Sequence, residues 1–316
     1  MTAGHDARVV FLGTAGGPSL AGHRRGVATA FVLGEDEDQD VYLVDAGLGA
    51  AGQHDDAGLR LDRLRAVLVT RMHGDHVCDL FNLFMFGATT VHASRPGITA
   101  PVAVIGPGPA TALRGGSEPC GPPPFPGVRG FIEHNYAGLA ATLTAWAMGQ
   151  GDLRELLDIR EIHDRVTQAG TEPFTVLDDG TVTLRAVVVP HLPTSYAYRI
   201  DSAAGSVVFS GDTGPSDAVA GLARGADVLV HEVMDFDAML AEGFPAGLRE
   251  VFTSVHTEVS DVGRIAAQAG VPVLALNHFV PASRATDPSR WIERISKDYD
   301  GRVVVAEDLM SLPVRP

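Results

Sequence analysis

The chain has 316 residues, 45% of them hydrophobic, with 24 basic against 39 acidic side chains and a formal charge of −15. A chain of that length can bury a substantial core as one domain, and it contains no apolar run near the roughly 18–20 residues that would span a bilayer. The acidic balance disfavours a polyanionic partner, and two cysteines, Cys78 and Cys120, cannot frame a disulfide scaffold.

The opening residues, Met1 to Asp6, lack a basic segment followed by an apolar one, so no secretory signal is read and a cytoplasmic location is expected. Taken in chain order, apolar β-branched runs bounded by Gly, Pro or Asp predict strands at Val9–Leu12, Ala30–Leu33, Val41–Val44, Ala66–Val69 and Val102–Ile105. Residues 106–127 are rich in Gly and Pro and predict a long loop. Helices are then expected over Tyr136–Met148 and Leu153–Val166, and residues 107–175 read as an insertion or lid within a single domain spanning 1–316. Further strands follow at Thr183–Val189, Ser206–Ser210, Val228–Val230, Val273–Leu276 and Val303–Val305. The helix Val259–Ala269, with apolar residues at helical spacing and Gly270 as its stop, lies between the later ones. Meanders early and strand–helix alternation late predict an α/β (α+β) protein, an αββα sandwich of two mixed sheets with helices outside.

Dense ligand chemistry follows the fourth predicted strand, in Arg71-Met72-His73-Gly74-Asp75-His76. Imidazole and carboxylate are the donors that borderline divalent ions prefer. His73, Asp75 and His76 converge only if the chain turns sharply, which Gly74 permits. Three more candidates, His191, Asp212 and His278, each stand just past a predicted strand, where α/β sheets present their chemistry. Clustered His and Asp positions of this kind argue for a metal centre.

With Phe11-Leu12-Gly13-Thr14-Ala15 and Val44-Asp45-Ala46-Gly47, these stretches resemble the metallo-β-lactamase superfamily, most closely its ribonuclease Z and arylsulfatase branch. The resemblance implies an αββα fold with two metal ions, usually zinc, with manganese or iron as alternatives. Its signature is His-x-His-x-Asp-His, and here Arg71 stands in the first histidine position. By resemblance one ion would take position 71, His73, His191 and Asp212, and the other Asp75, His76, Asp212 and His278. Arginine is a permanent cation without a lone pair to donate. A single ion, a weakened pair, and Arg71 as a substitute cation therefore all remain open.

The resemblance also places Glu232 and His256 as a pair that protonates the leaving group, with His256 as general acid and Asp75 as acceptor of the water proton. Asp45, Asp79 and Asn277 are candidate partners of the ligands. Phe81, Leu83, Phe84, Met85 and Phe86 supply either apolar wall or plain core. The leading expectation is a metal-dependent hydrolase of an ester-type bond (sulfate, phosphate, carboxylic ester or lactone) in a small molecule. On this reading nucleic acid is disfavoured, no membrane is involved and a homodimer is admitted. The alternatives are a tRNA 3′-processing endonuclease and a metal-depleted binding protein in which Arg71 captures a ligand.

Overall fold

The computed structural model describes residues 6–17, 22–89, 91–92, 95–110, 125–146, 152–162, 172–192, 194–283 and 287–315. The β-branched runs assemble into two seven-stranded sheets. The first holds β1 (Ala7–Gly13), β2 (Ala28–Leu33), β3 (Asp40–Val44) and β4 (Leu64–Leu68). A two-residue hairpin of β5 (Val91–His92) and β6 (Arg95–Pro96) lies outside it. Then come β7 (Val102–Gly106) and β8 (Leu157–Glu161). The second sheet holds β9 (Phe174–Asp178), β10 (Val182–Val189), β11 (Ser195–Ser202), β12 (Gly205–Phe209), β13 (Val228–Met234), β14 (Val273–Val280) and β15 (Arg302–Val305). The last strand, β16 (Ser311–Pro313), returns to the first sheet, whose order is β16-β1-β2-β3-β4-β7-β8.

Each sheet has an antiparallel half and a parallel half. In the second, β9 to β12 form a meander and β12 to β15 run parallel. Strands covered on both faces read as continuous apolar runs, which is why Val228–Val230 and Val273–Leu276 show no alternation. Between the sheets lies one core containing Phe11, Phe31, Leu68, Tyr196, Tyr198 and Phe209. Two further cores sit under the helices on the outer faces, completing the αββα sandwich expected from the sequence. The helix Val259–Ala269 is observed over the predicted span and stops at Gly270, whose φ of 68° is left-handed.

Two helix expectations change. Over Leu153–Val166 the described residues form a 3-10 turn at Leu153–Leu156 followed by β8, because Leu157–Glu161 finds a parallel partner in β7 and tertiary pairing outweighs local propensity; residues 163–166 lie outside the described residues. Tyr136 instead lies in the last turn of the helix Val128–Gly138, a second helix covers Ala140–Trp146, and residues 147–148 lie outside the described residues. Thus the described part of 107–175 contributes an edge strand and a helical layer whose Val128, Ile132 and Leu143 join the first sheet's outer core. Cys78 is exposed and closes a short helix, and Cys120 lies outside the described residues. Among the described residues no helix is long and apolar enough to cross a membrane.

Candidate metal centre

Strand ends from both sheets deliver the candidate ligands to one edge of the sandwich. The chain leaves β4, and Thr70 to His76 turn over that edge into the short helix Gly74–Val77. From the second sheet, His191 follows β10 and Asp212 follows β12, whereas His278 lies inside β14. There the register with β13 shifts between Glu232 and Val233, so His278 is the extra residue of a bulge with φ of 47°. Asp45, past the end of β3, also has a left-handed φ of 61°. Strained non-glycine backbone of this kind persists where a site over-determines it.

Four of the predicted ligands form a cage. Nε2 of His278 lies 3.1 Å from Asp212 Oδ1 and 3.3 Å from Asp75 Oδ2. Nε2 of His76 lies 3.3 Å from the same Asp212 oxygen and 3.6 Å from the same Asp75 oxygen. A tetrahedral zinc ion with ligand bonds of about 2.0–2.1 Å separates its ligands by about 3.3 Å. His76 Nε2 has no aligned hydrogen-bond acceptor despite its neighbours, and both Asp212 oxygens lack an aligned donor. These atoms therefore suit a shared cation better than one another.

Charge balance supports the same fit. Asp45, Asp212 and Glu232 are buried with at most 3% of their side chains exposed, Asp75 has 9%, and among the described residues the permanent cation that reaches this group is Arg71. Four carboxylates against one guanidinium is a poor balance in a desolvated site. Burial opposes charge on His76, but the Asp45 and Asp212 carboxylates outweigh it and hold its pKa up at about 10. A divalent ion would satisfy those carboxylates and displace that proton. Burial also opposes charge on Asp75 and Asp212, yet the surrounding histidines and Arg71 bring both well below the ordinary carboxylate range.

The cage is braced from behind. The Nδ1–H of His76 donates to Asp45 Oδ2 at 2.8 Å, and Thr70 donates to Asp45 through its backbone N–H and its hydroxyl, each at 2.8 Å. This fixes the tautomer that turns Nε2 of His76 toward the cage. The other two candidate partners have different duties. Asp79 accepts from the backbone N–H groups of Gly49 and Ala51, and Asn277 donates to Thr29.

The other half of the predicted ligand set is arranged differently. His191 donates Nδ1–H to the carbonyl of Val255 at 2.7 Å, so its Nε2 carries the lone pair, and Nη1 of Arg71 donates to it. Burial first, then Arg71, holds the His191 pKa down near 2, which keeps the ring neutral. Nη2 of Arg71 forms an ion pair with Asp212 Oδ2 at 2.8 Å and lies 3.6 Å from Asp75 Oδ2. His73 is half-buried, with its ring 5.5 Å from that of His191 and outside the metal-sized clusters among the described residues.

Glu232 and His256 meet as the resemblance implied. Nδ1 of His256 is 3.0 and 3.1 Å from the two Glu232 oxygens, and Glu232 also accepts from the backbone N–H of Thr213 at 2.7 Å. Burial pushes His256 toward the neutral form, but Glu232 and then Asp212 reverse the balance, so its pKa is raised.

A cavity of about 1020 Å³ opens beside the cage, bordered by Arg71, Asp75, His191 and His256. Its apolar wall is Met239, Phe244 and Phe252, which the sequence reading missed. The signal was the aromatic spacing of Phe236, Phe244 and Phe252, whose rings cluster with centroids 4.9–6.4 Å apart. Phe81, Leu83, Phe84 and Met85 are core, and Phe86 is exposed. Among the described residues none from 107–175 borders the cavity.

Comparison with known proteins agrees with this geometry. The Beta-lactamase superfamily domain profile matches residues 132–279. Ribonuclease Z of Mycobacterium bovis BCG is 29% identical over 310 residues, covering 98% of both chains. Ribonuclease Z of Mycobacterium tuberculosis is 28% identical over a similar span, again 98% of both. The human tRNase Z short form superposes with a TM-score of 0.65 at 21% identity, covering 98% of this chain and 100% of that one. The metallo-β-lactamase fold protein YhfI of Bacillus subtilis gives 0.64 at 18%, covering 97% and 99%. These full-length ribonuclease Z relatives overturn the expectations of a small-molecule ester substrate and of nucleic acid as a disfavoured partner. Net charge misled because it is a whole-molecule sum and does not set the potential at one cation-bearing cavity. Its sandwich of two mixed sheets with ligand-bearing strand ends is the metallo-β-lactamase fold, and together with the ribonuclease Z relatives this marks the chain as a metallo-hydrolase.

Proposed function

We propose that the protein is a ribonuclease Z-like endonuclease that hydrolyses a phosphodiester bond in RNA, with the 3′ end of precursor tRNA as substrate. The observation that carries this reading is the Glu232–His256 pair beside the cage, in a chain whose ribonuclease Z relatives align along its length. The proposal takes the ribonuclease Z side of the resemblance rather than the arylsulfatase side.

Asp75, His76 and His278, joined by Asp212 through its Oδ1, would hold the ion, for which zinc suits the imidazole and carboxylate donors, with manganese or iron as alternatives. When bound, such an ion lowers the pKa of its water to roughly 7 and polarises the bond under attack. Asp75 lies at the cavity, and on this reading it would accept the water proton. Glu232 fixes the His256 ring through Nδ1, which leaves Nε2 to deliver a proton to the departing ribose oxygen. Met239, Phe244 and Phe252 offer flat apolar surface on which a base beside the scissile phosphate can stack.

The test is an incubation of zinc- or manganese-loaded protein with precursor tRNA bearing a 3′ trailer, with product ends mapped. A single endonucleolytic cut near the mature 3′ end is expected. Loaded protein that leaves this RNA intact while hydrolysing bis-p-nitrophenyl phosphate would overturn the RNA assignment.

A further inference from the structure

We infer that this centre binds one divalent ion, in the Asp75, His76, Asp212 and His278 cage, and that the Arg71 guanidinium is the resident second cation. The first part rests on the cage edges of 3.1–3.6 Å and on the braced His76 ring. The second rests on where Arg71 goes. A further ion held by His191 would need the Nε2 lone pair, because Nδ1 is committed to the Val255 carbonyl. That lone pair already receives Nη1 of Arg71. The same ion would need Asp212 Oδ2, and Nη2 of Arg71 stands 2.8 Å from it. His191, Asp212 and His256 do lie within metal-ligand distance of one another, but the His256 atom nearest Asp212, Nδ1 at 3.7 Å, is turned to Glu232 at 3.0 and 3.1 Å. His73 stands outside the metal-sized clusters among the described residues.

Arginine is suited to this position on two counts. It cannot lose its charge at any working pH, and its planar fork can grip a carboxylate on one side and a phosphate oxygen on another. Arg71 is 2% exposed yet borders the cavity, and its Nε has no partner. One divalent ion plus Arg71 therefore carries one positive charge fewer than two divalent ions at the same ligands. Chelation removes the ion and leaves the guanidinium in place. The inference concerns metal binding alone and is independent of which phosphodiester is cut.

The experiment is metal counting on the full chain. Wild-type protein is saturated with zinc, freed of unbound metal by gel filtration and measured by mass spectrometry; cobalt titration followed by absorbance gives a second count. One equivalent is expected for wild type, and two for Arg71→His. A companion variant, His191→Ala, should keep one equivalent with affinity within about threefold, because His191 holds the arginine rather than the ion. Wild type saturating at two equivalents or none, Arg71→His remaining at one, or His191→Ala losing its metal would each overturn the inference. If Arg71→His does not fold, the wild-type count and His191→Ala still decide it. A chain that binds one ion and cuts no RNA would sink the proposed function while leaving this inference standing.

Discussion

Replacing Asp45 by asparagine isolates what the bracing of His76 contributes. The carboxylate accepts hydrogen bonds of 2.8 Å from Thr70 N, Thr70 Oγ1 and His76 Nδ1. Asparagine tolerates the left-handed backbone at this position, where φ is 61°, so the fold is not challenged by strain. Its single carbonyl oxygen can take the place of Oδ2 and accept from Thr70 Oγ1 and His76. The amide nitrogen then faces the Thr70 N–H, donor against donor. An orphaned buried N–H costs about 1–3 kcal/mol, and losing charge assistance at His76 adds roughly 1 kcal/mol. The metal-free protein should therefore lose about 2–4 kcal/mol in urea unfolding. Metal affinity should fall by about 10–100-fold, the usual effect of removing a ligand's hydrogen-bond partner. Competition against a chromophoric chelator measures that fall. Because Asp45 acts through His76, adding Asp45→Asn to His76→Ala should weaken binding little further. Metal affinity within twofold of wild type, or full additivity of the two changes, would refute the bracing argument.

Two further outcomes are expected. Removing the proton donor by His256→Ala should lower kcat on RNA by about 10²–10⁴-fold with metal content unchanged. The deficit should shrink below about tenfold on bis-p-nitrophenyl phosphate, whose leaving group needs no proton; an equal loss on both substrates would remove His256 from that role. Acid stability tests a buried histidine that does not line the cavity. His54 is 1% exposed, its Nε2 has no partner, and burial lowers its pKa to about 4. Since the unfolded value is near 6.5, the folded state binds fewer protons, and stability is full above pH 6.5 and lost as pH falls toward 4. Up to about 3 kcal/mol goes in that window, about 2 of it by pH 5. His54→Gln should flatten that part of the urea-midpoint profile between pH 7 and 5, and an unchanged slope would show that His54 is not responsible.

Much of the architecture was legible because burial on both faces leaves a plain mark. Val228–Val230 and Val273–Leu276 are continuous apolar runs because helices cover one side and the other sheet covers the opposite side. Other strands left no such mark. β8 and β9 alternate half-buried with exposed residues at the sheet edges, and β16 is three residues long, so partners decide their state. The fold also explains Gly13, the last residue of β1: a Cβ there would overlap the carbonyl of Gly26.

For the site, the residue types that can hold an ion, and their positions at strand ends, could be read from the chain alone. His76, Asp212 and His278 are distant in sequence, and each still carried a local signal in the apolar run leading to it. What the guanidinium of Arg71 touches could not be read in that way. An arginine side chain is long enough to reach solvent, a substrate or a neighbouring ligand, and the backbone at residue 71 permits all three. Only packing of the second sheet against the first sets His191 and Asp212 around it, with His191 held by Val255 from a third segment. Sequence thus determined which chemistry is available here. The tertiary structure decided which of those groups face one another, because that depends on contacts between residues 71, 191 and 212 that no local pattern encodes.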